Sequence, residues 1–532
     1  MKKIFFAALS LFTAAHIQAQ DSFTNYQMVN TTDVFGTARY TAMGGAMGAL
    51  GADISAMSNN PASIALFRKN DVSVSMGGQI QDAKPFDADS RGRFSFDQVG
   101  FVACFSDDDG FGSFNFGLNF QKKSHFGNSF FVEGPLGRGL TQTNQLANIY
   151  ENYYMGYQNA RQNSLYCRAF DALLWDLPDG VGFTPKGYDY NRLTSGNQYG
   201  LDLNFSGNIQ ERIYLGATVG VDFMTYRSNQ RYVEYRDGSD GSVQDYDLSS
   251  NRRVDGTGFN VKLGAIFRPI EESPLRFGIT VETPTWYVMT QKNSYFSFAS
   301  KWEYIDSEDV LVDGRLETVY NYNYLDQPGD YAIYDSYDDN FLDFNIFTPW
   351  RFRAQLGSTV SNYLAWDVEY EYAMYDYTKL GYPEGYNADG PTVSMDKDTE
   401  MGKLTHASIN GVHNIRAGLE IKPVAAFAAR IGYNYWSRPM KSNAVFDQGI
   451  DSWAMDYVLG TEWMNLGATN MFSFGIGFRH KGFYADLAYK YRAQNADFYA
   501  FDDSWGGTAG RLQPARVNLD RHGFNITLGY RF

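Results

Sequence analysis

Apolar and polar residues alternate through the C-terminal end of the chain. Every second residue from Phe524 to Phe532 is apolar, and the residues between them are Asn525, Thr527, Gly529 and Arg531. Successive side chains of a β-strand point to opposite faces, so this segment predicts a strand with one apolar face and one polar face. In a membrane-spanning barrel the apolar face contacts lipid and the polar face lines the lumen.

The same alternation recurs along the chain and predicts fourteen strands. Charged residues stand repeatedly on the polar face in mid-strand, as Asp367, Glu369 and Glu371 do. These charges would be costly in the dry core of a sandwich, whereas a wet lumen keeps them hydrated or paired. The sequence therefore predicts an all-β fold, a transmembrane antiparallel β-barrel of about fourteen strands. The strands are expected near residues 70–80, 93–105, 111–123, 197–208, 211–227, 253–268, 274–291, 345–359, 362–377, 411–421, 425–437, 469–480, 482–496 and 521–532.

The connections between these strands are alternately short and long. The long ones, at 124–196, 292–344 and 438–468, have the character of extracellular loops, because outer-membrane barrels place short turns in the periplasm. An even strand number then predicts both termini in the periplasm of a Gram-negative cell. The terminal aromatic Phe532 also fits the signal by which the barrel assembly machinery recognises its substrates.

The first nineteen residues predict a cleavable signal peptide, with lysines at positions 2 and 3, a short apolar run and a small residue at Ala19. Elsewhere no run of about 18 apolar residues predicts a membrane-spanning helix. The formal charge of −15 argues against nucleic acid as a partner. The mature chain is therefore expected to contact outer-membrane lipid through its strands.

Residues 20–69 do not alternate. Small residues dominate 36–53, and Asn60, Pro61 and Ala62 follow shortly after. Two interpretations are open: a flexible leader that ends in a turn, or a compact plug inside the lumen. A lumen of about fourteen strands is too wide for side chains alone to fill, so either a plug blocks it or it is open to water.

The small-residue segment, with Asp53 and then Asn60-Pro61-Ala62 ahead of an even-stranded barrel, resembles the FadL family of outer-membrane transporters for long-chain fatty acids and other hydrophobic compounds. Short pieces at 356–357, 414–420 and 474–479 are similar too. The resemblance implies a fourteen-strand barrel (70–532) closed by an N-terminal hatch (20–69) that contains the Asn-Pro-Ala motif.

The resemblance also implies a route by which the ligand crosses the barrel. Hydrophobic compounds would bind from outside, pass the hatch and leave sideways through a gap at a kinked third strand. The third predicted strand contains Gly112 and Gly117, which become candidate lateral-gate residues, because a strand glycine often marks a bend. The alternative is that small residues are simply common in barrel strands.

Catalytic chemistry has little support in the sequence. No histidine is expected to face inward at mid-barrel, and no His pair or close Cys pair has metal-ligand spacing. Acidic runs at 107–109 and 338–339 could hold Ca²⁺ weakly but are more often solvated turns. The sequence therefore predicts no enzyme, no metal site and no cofactor.

The leading hypothesis is passive transport of small hydrophobic molecules, with long-chain fatty acids as the substrate class. Two alternatives remain open at this point: a surface structural protein or adhesin that acts through its long loops, and a general porin. The sequence leaves the ligand, the oligomeric state and the opening of the third strand undetermined.

Overall fold

The computed structural model describes most of the chain. The residues outside the description are 1–21, 31–32, 82–92, 107–111, 137–139, 151–163, 172–184, 239–240, 313–314, 326–329, 336–341, 384–394, 443, 447–451 and 503–511. The predicted signal peptide and both acidic runs lie among them, wholly or in part.

Strands dominate the described residues. They are β1 Asp71–Gln81, β2 Arg93–Ser106, β3 Gly112–His125, β4 Asn128–Pro135, β5 Pro185–Ile209, β6 Ile213–Gly238, β7 Gly241–Phe267, β8 Arg276–Glu282, β9 Trp286–Gln291, β10 Tyr295–Ser300, β11 Trp302–Val312, β12 Arg315–Tyr324, β13 Ala332–Asp335, β14 Leu342–Phe347, β15 Arg351–Val360, β16 Leu364–Ala373, β17 Lys379–Pro383, β18 Met395–Lys397, β19 Val412–Val424, β20 Phe427–Trp436, β21 Trp463–His480, β22 Phe483–Tyr499, β23 Ala515–Asn518 and β24 Arg521–Arg531.

Helices are short. They are α1 Ser22–Val29, α2 Ala38–Ala42, α3 Gln142–Ile149, α4 Leu165–Asp171 and α5 Thr399–Ser408, with 3-10 turns at Ile54–Ser58, Pro61–Leu66, Tyr375–Tyr377 and Trp453–Tyr457. In the described part of the chain, none of the helices has both the length and the apolar character needed to cross a membrane.

The strands close into one barrel. Twenty-two of the segments form a single antiparallel sheet, and β1 pairs with β24 along its whole length, from Asp71 opposite Arg531 to Gln81 opposite Arg521. Several segments continue one another across short interruptions, as β8, β9 and β10 do along β7. Counted this way the barrel has fourteen strands, which confirms the predicted fold. The hairpin β11–β12 forms a separate two-stranded sheet.

The barrel has the polarity of a membrane protein. Large apolar side chains point outward, among them Leu263, Ile279 and Ile476, each about 60% exposed. Carboxylates and guanidiniums point inward and are buried, as Asp367, Glu369 and Arg416 are. This arrangement reverses that of a soluble protein, and it explains why the sequence alternates with charges in one phase.

Several strands extend further than the alternation predicts. β5 begins at Pro185, whereas the sequence indicated a start near 197, and β21 begins at Trp463. The reason is that the apolar phase changes sides: Leu201 faces outward, but Tyr188 and Tyr190 in the same strand face inward and are buried. The ranges 124–196, 292–344 and 438–468 therefore contain strand residues as well as connections.

Candidate functional site

The lumen is filled by residues 33–70, called the lumenal segment below. Its three helical turns each begin at a capping residue: Thr37 accepts from the backbone N–H of Tyr40, Asp53 from that of Ser55, and Asn60 from that of Ala62. Short polar side chains at these positions satisfy backbone donors that a turn leaves free. The small residues between the caps allow the segment to fold tightly within the barrel.

The Asn60-Pro61-Ala62 motif contacts three strands. The Asn60 side-chain amide donates to Oε1 of Gln355 at 3.0 Å and to the backbone oxygen of Ala265 at 3.3 Å. The side-chain amide of Asn204 donates to the backbone oxygen of Pro61 at 3.1 Å. All three motif residues are fully buried. The motif therefore lies against β5, β7 and β15 at the level where the segment approaches the short-turn end.

A chain of ion pairs anchors the beginning of the segment. Arg39 binds Glu420 of β19 at 2.8 Å, Glu420 binds Arg430 of β20 at 2.7 Å, and Arg430 binds Asp486 of β22 at 2.6 Å. All four side chains are buried. Removal of one member would leave an uncompensated buried charge, which is strongly destabilising.

Backbone N–H groups of the lumenal segment donate hydrogen bonds to carboxylates of β16. The N–H groups of Met47 and Gly48 donate to Oε1 of Glu369 at 2.8 and 2.5 Å. The N–H groups of Ala49 and Leu50 donate to Oδ2 of Asp367 at 3.0 and 2.6 Å. Four consecutive backbone donors are thus satisfied by two side chains of one strand.

Burial also changes the acidity of groups in the segment. Burial raises the pKa of Asp53, although Arg39 and the hydroxyl of Thr37 act in the opposite direction. Burial likewise raises the pKa of Tyr40 to about 12. The Tyr40 hydroxyl therefore stays protonated and donates to Oδ1 of Asn59 at 2.7 Å.

The helix α1 lies at the other end of the lumen, among the long connections. Phe23 packs against Phe446 with ring centroids 6.0 Å apart, and Tyr26 packs against Tyr375 at 4.9 Å. The surrounding side chains form one buried hydrophobic cluster, called the apolar compartment. Its members include Phe126, Phe130, Tyr190, Tyr226, Phe296, Phe298, Phe344, Trp436, Met440, Met464 and Phe498. By contrast Phe532 lies at the short-turn end, where its N–H donates to Asn70.

Two small polar cavities lie between α1 and the lumenal segment. The first, of about 90 Å³, is lined by Phe35, Tyr40, Asn59, Lys122 and Arg416 among others. The second, of about 80 Å³, is lined by residues that include Arg192, Arg492, Arg521 and Asp33. Each has room for several waters but is far below the ~300–1,000 Å³ of a usual ligand pocket. A larger ligand would therefore have to displace protein.

The barrel wall has a gap between β2 and β3. Their backbone pairing runs only from Gln98 opposite Gln121 to Ser106 opposite Ser113. Towards the long-connection end, residues 93–96 of β2 stay paired with β1 and Asp97 forms a bulge, but none of them pairs with β3 among the described contacts. Unpaired backbone inside a membrane is costly unless other groups satisfy it.

Side chains close this gap from both sides. On the outer face the rings of Phe96, Phe120 and Tyr199 stack across it, and the Tyr199 hydroxyl donates to the backbone oxygen of Phe96 at 3.3 Å. On the inner face Lys122 pairs with Asp97 at 3.4 Å. Lys122 also lines the first cavity, so that cavity lies directly behind the gap.

The structure places the predicted gate glycines elsewhere. Gly112 and Gly117 both lie in the paired part of β3, opposite Ile209 and Asn204 of β5. A Cβ atom at Gly117 would come within 2.9 Å of the Met57 methyl, so its small size accommodates the lumenal segment. The structure does not bring either glycine to the gap.

In the described part of the chain no group of three metal-ligating side chains occurs. His413 and His522 lie on the outer face beside tyrosines, with Tyr370 and Tyr489 hydroxyls 2.8 and 2.7 Å from their Nδ1 atoms. His125 ends β3 and lines the second cavity.

Sequence reasoning missed the two carboxylates of β16 as anchors and Tyr199 as a closing group. The alternation marked Asp367 and Glu369 as lumenal, but nothing in the sequence indicates which lumenal charges contact residues more than 300 positions away. No local signal distinguishes Tyr199 from the other 38 tyrosines.

Comparison with solved structures finds the same architecture. A Pseudomonas aeruginosa FadL homologue aligns with a TM-score of 0.50 at 12% identity, over 95% of this chain and 99% of that chain. The P. putida toluene transporter TodX aligns with a TM-score of 0.45 at 11% identity (94% and 99%), and the CymD monoaromatic hydrocarbon channel with 0.45 at 10% (94% and 98%). No protein-family model and no curated protein matches this sequence. The first alignment confirms the FadL-like fold that the resemblance implies.

Proposed function

We propose that this chain, which has the FadL-like fold, is an outer-membrane channel for small hydrophobic molecules, with long-chain fatty acids as its substrate class. Transport is passive, and the lumenal segment acts as the hatch. The orientation follows the barrel rule: long connections outside, short turns and Phe532 in the periplasm, where Phe532 serves recognition by the assembly machinery.

The observation that carries the proposal is the gap between β2 and β3. It is closed by side chains rather than by a backbone ladder, and a cavity lies directly behind it. Side chains change rotamers far more readily than strands separate. A route from the lumen sideways into the membrane therefore needs only movement of Phe96, Phe120, Tyr199 and Lys122.

The apolar compartment supports a hydrophobic ligand. Phe23, Tyr26 and Val29 of α1 occupy it, each with less than 3% of its surface exposed. An acyl chain that replaced them would gain about 25 cal/mol for each Å² of apolar surface removed from water. The helix thus occupies the space that a ligand entering from the long connections would take.

The second cavity supports an acidic head group. Its lining includes three guanidiniums, those of Arg192, Arg492 and Arg521, against the single carboxylate of Asp33. Guanidinium is the cation best suited to hold a carboxylate through paired hydrogen bonds. A fatty acid matches this combination of apolar compartment and basic cavity better than a neutral hydrocarbon does.

The test is native mass spectrometry of the detergent-purified protein, followed by extraction and identification of bound small molecules. A retained fatty acid, together with laurate uptake into proteoliposomes, would support the proposal. An empty barrel that neither binds nor transports laurate would contradict it.

One observation favours a second function. The hairpin β11–β12 is a sheet of its own within the predicted loop 292–344, and a hairpin outside the barrel sheet suits an adhesin that binds a partner. Deletion of residues 302–324 distinguishes the two functions: lost cell-surface binding with intact laurate uptake would support the adhesin. A general porin predicts large conductance in planar bilayers, whereas a filled lumen predicts little.

A further inference from the structure

The turn at residues 47–50 of the lumenal segment is held by an unusual set of acceptors. Its four consecutive N–H groups converge on only two carboxylates, Glu369 and Asp367, two residues apart on β16. Consecutive backbone N–H groups of a turn form a concave site for anions, and hydrogen bonds to a charged acceptor are about twice as strong as neutral ones. Barrel side chains fill this site here, so the contact holds the segment in place.

The second carboxylate oxygen of Glu369 contacts other residues than the first does. Its Oε2 accepts from Nδ2 of Asn59 at 3.0 Å and from Nη1 of Arg416 at 3.1 Å. Asn59 and Arg416 both line the 90 Å³ cavity behind the gap. One carboxylate therefore connects the turn at 47–50, through Oε1, with the wall of the cavity, through Oε2.

The cavity itself is suited to an anion. Six basic residues line it against three acidic ones; the basic residues are Lys122, Lys123, Lys262, Arg351, Arg353 and Arg416. Nη1 of Arg353 and Nε of Arg416 are buried and have no hydrogen-bond acceptor. Both side chains are 93% buried, so each of these N–H groups needs an acceptor from within the cavity, which a bound anion would supply.

We propose that Asp367 and Glu369 form a latch that holds the lumenal segment, and that an anionic group bound beside Arg353 and Arg416 in the cavity releases it. The proposal rests on the proposed function, because it takes the acidic head group of the transported molecule as the anion. Asp33 lines both cavities, so the head group bound first in the second cavity passes on to this one.

The release follows from charge balance. Arg416 now compensates Glu369 and also binds Glu371 at 2.9 Å. An anion in the cavity competes for the same guanidinium. A buried carboxylate without its compensating charge is costly, so the Glu369 side chain rotates towards water. The N–H groups of residues 47 and 48 then lose their charged acceptor.

Hydrogen exchange of the backbone amides at 47–50, followed by mass spectrometry on the full-length protein in detergent, tests the latch directly. We expect Asp367→Asn combined with Glu369→Gln to accelerate exchange there by about tenfold or more, while the strand β19 stays protected. The matched control is Asp202→Asn, which removes a buried lumenal carboxylate that binds Lys123 and Lys262 instead of the segment. Unchanged exchange in the double variant, with folding verified by retained protection of β19, would overturn the latch.

The release is tested with laurate and its uncharged counterpart dodecanol. Laurate should accelerate exchange at 47–50 and dodecanol should not, and Arg416→Gln should abolish the difference. Equal effects of both compounds, or none from laurate in a protein that transports it, would overturn release by an anion while the transport function stands. If laurate is neither bound nor transported, the proposed function fails, and the latch variants still decide whether Asp367 and Glu369 hold the segment.

Discussion

The hydroxyl of Tyr199 on β5 reaches across β3 and donates a hydrogen bond to the backbone oxygen of Phe96 on β2, at 3.3 Å. This oxygen belongs to the stretch of β2 that has no pairing with β3. A side chain thus supplies the donor that a neighbouring strand would supply in an uninterrupted barrel. The bond keeps the gap closed without making it part of the ladder.

Tyr199→Phe should therefore favour the open gap. The phenyl ring keeps the stack on Phe120, which has a centroid distance of 5.3 Å, but the Phe96 oxygen loses its donor. Loss of such a bond costs the closed state about 1.4 kcal/mol, which corresponds to about tenfold more open gap. The initial rate of laurate uptake into proteoliposomes measures the effect.

Tyr489→Phe is the matched control for that experiment. Tyr489 also lies on the outer face, and its hydroxyl is bonded to His522 away from the gap, so uptake should not change. An uptake rate in Tyr199→Phe that equals the rate of this control would show that the Tyr199 bond does not limit lateral exit.

The Asn-Pro-Ala motif gives a second prediction. Asn60→Ala combined with Pro61→Ala removes the cap of the 3-10 turn and the bond to Gln355 on β15. A lost cap costs about 1 kcal/mol and the unsatisfied Gln355 about as much again. Bilayer conductance and laurate uptake should both rise. Thr290→Ala, which removes a bond to Asp343 between β9 and β14, serves as control, and unchanged uptake in the double variant would contradict the hatch role of the motif.

The local pattern of the sequence predicted the strands of the barrel but not the contacts inside its lumen. In β24 and β16 the apolar residues face lipid, and period-two alternation identifies such strands directly. In β5 the apolar residues move to the inner face at Tyr188 and Tyr190, so the same criterion did not predict this part of the strand. The Asn60 motif could be recognised in the sequence because its residues are consecutive. Its acceptor Gln355 could not be predicted, because only the closed barrel brings it beside Asn60.

The position of α1 could not be predicted from the sequence either. Nothing in the eight residues Ser22–Val29 indicates that they lie among the long connections, because their burial depends on side chains from six or more distant segments. The sequence also did not indicate where the gap lies. Gly112 and Gly117 suggested a bend in β3 and remain candidate gate residues, whereas the pairing of β2 with β3 ends beside bulges at Asp97 and Lys123.

Glycines in the wall give a third prediction, through a pair of variants. A Cβ at Gly216 would lie 2.5 Å from the backbone nitrogen of Ala62. No side-chain rotation can relieve this contact, so Gly216→Ala should displace the whole motif and raise conductance. A Cβ at Gly117 meets the flexible end of Met57, so Gly117→Ala should have little effect on conductance. A large change in lateral uptake for Gly117→Ala alone would instead support that glycine as a gate residue.

The last prediction concerns competition between α1 and the ligand. Deletion of residues 22–29 empties the part of the apolar compartment that Phe23, Tyr26 and Val29 fill, and the ligand no longer has to displace them. Laurate should then bind at least about tenfold more tightly, as measured by isothermal titration calorimetry, since about 1.4 kcal/mol of displacement cost is sufficient for that change. Gln27→Ala isolates the polar part of the change, because it frees Arg192, which donates to Gln27 at 3.2 Å, and leaves the apolar side chains in place. Weaker binding after the deletion would mean that α1 forms part of the binding site instead of occupying it. Tighter binding with slower uptake would mean that return of the helix drives release of the ligand, because a ligand that meets no competitor has a longer residence time in the compartment.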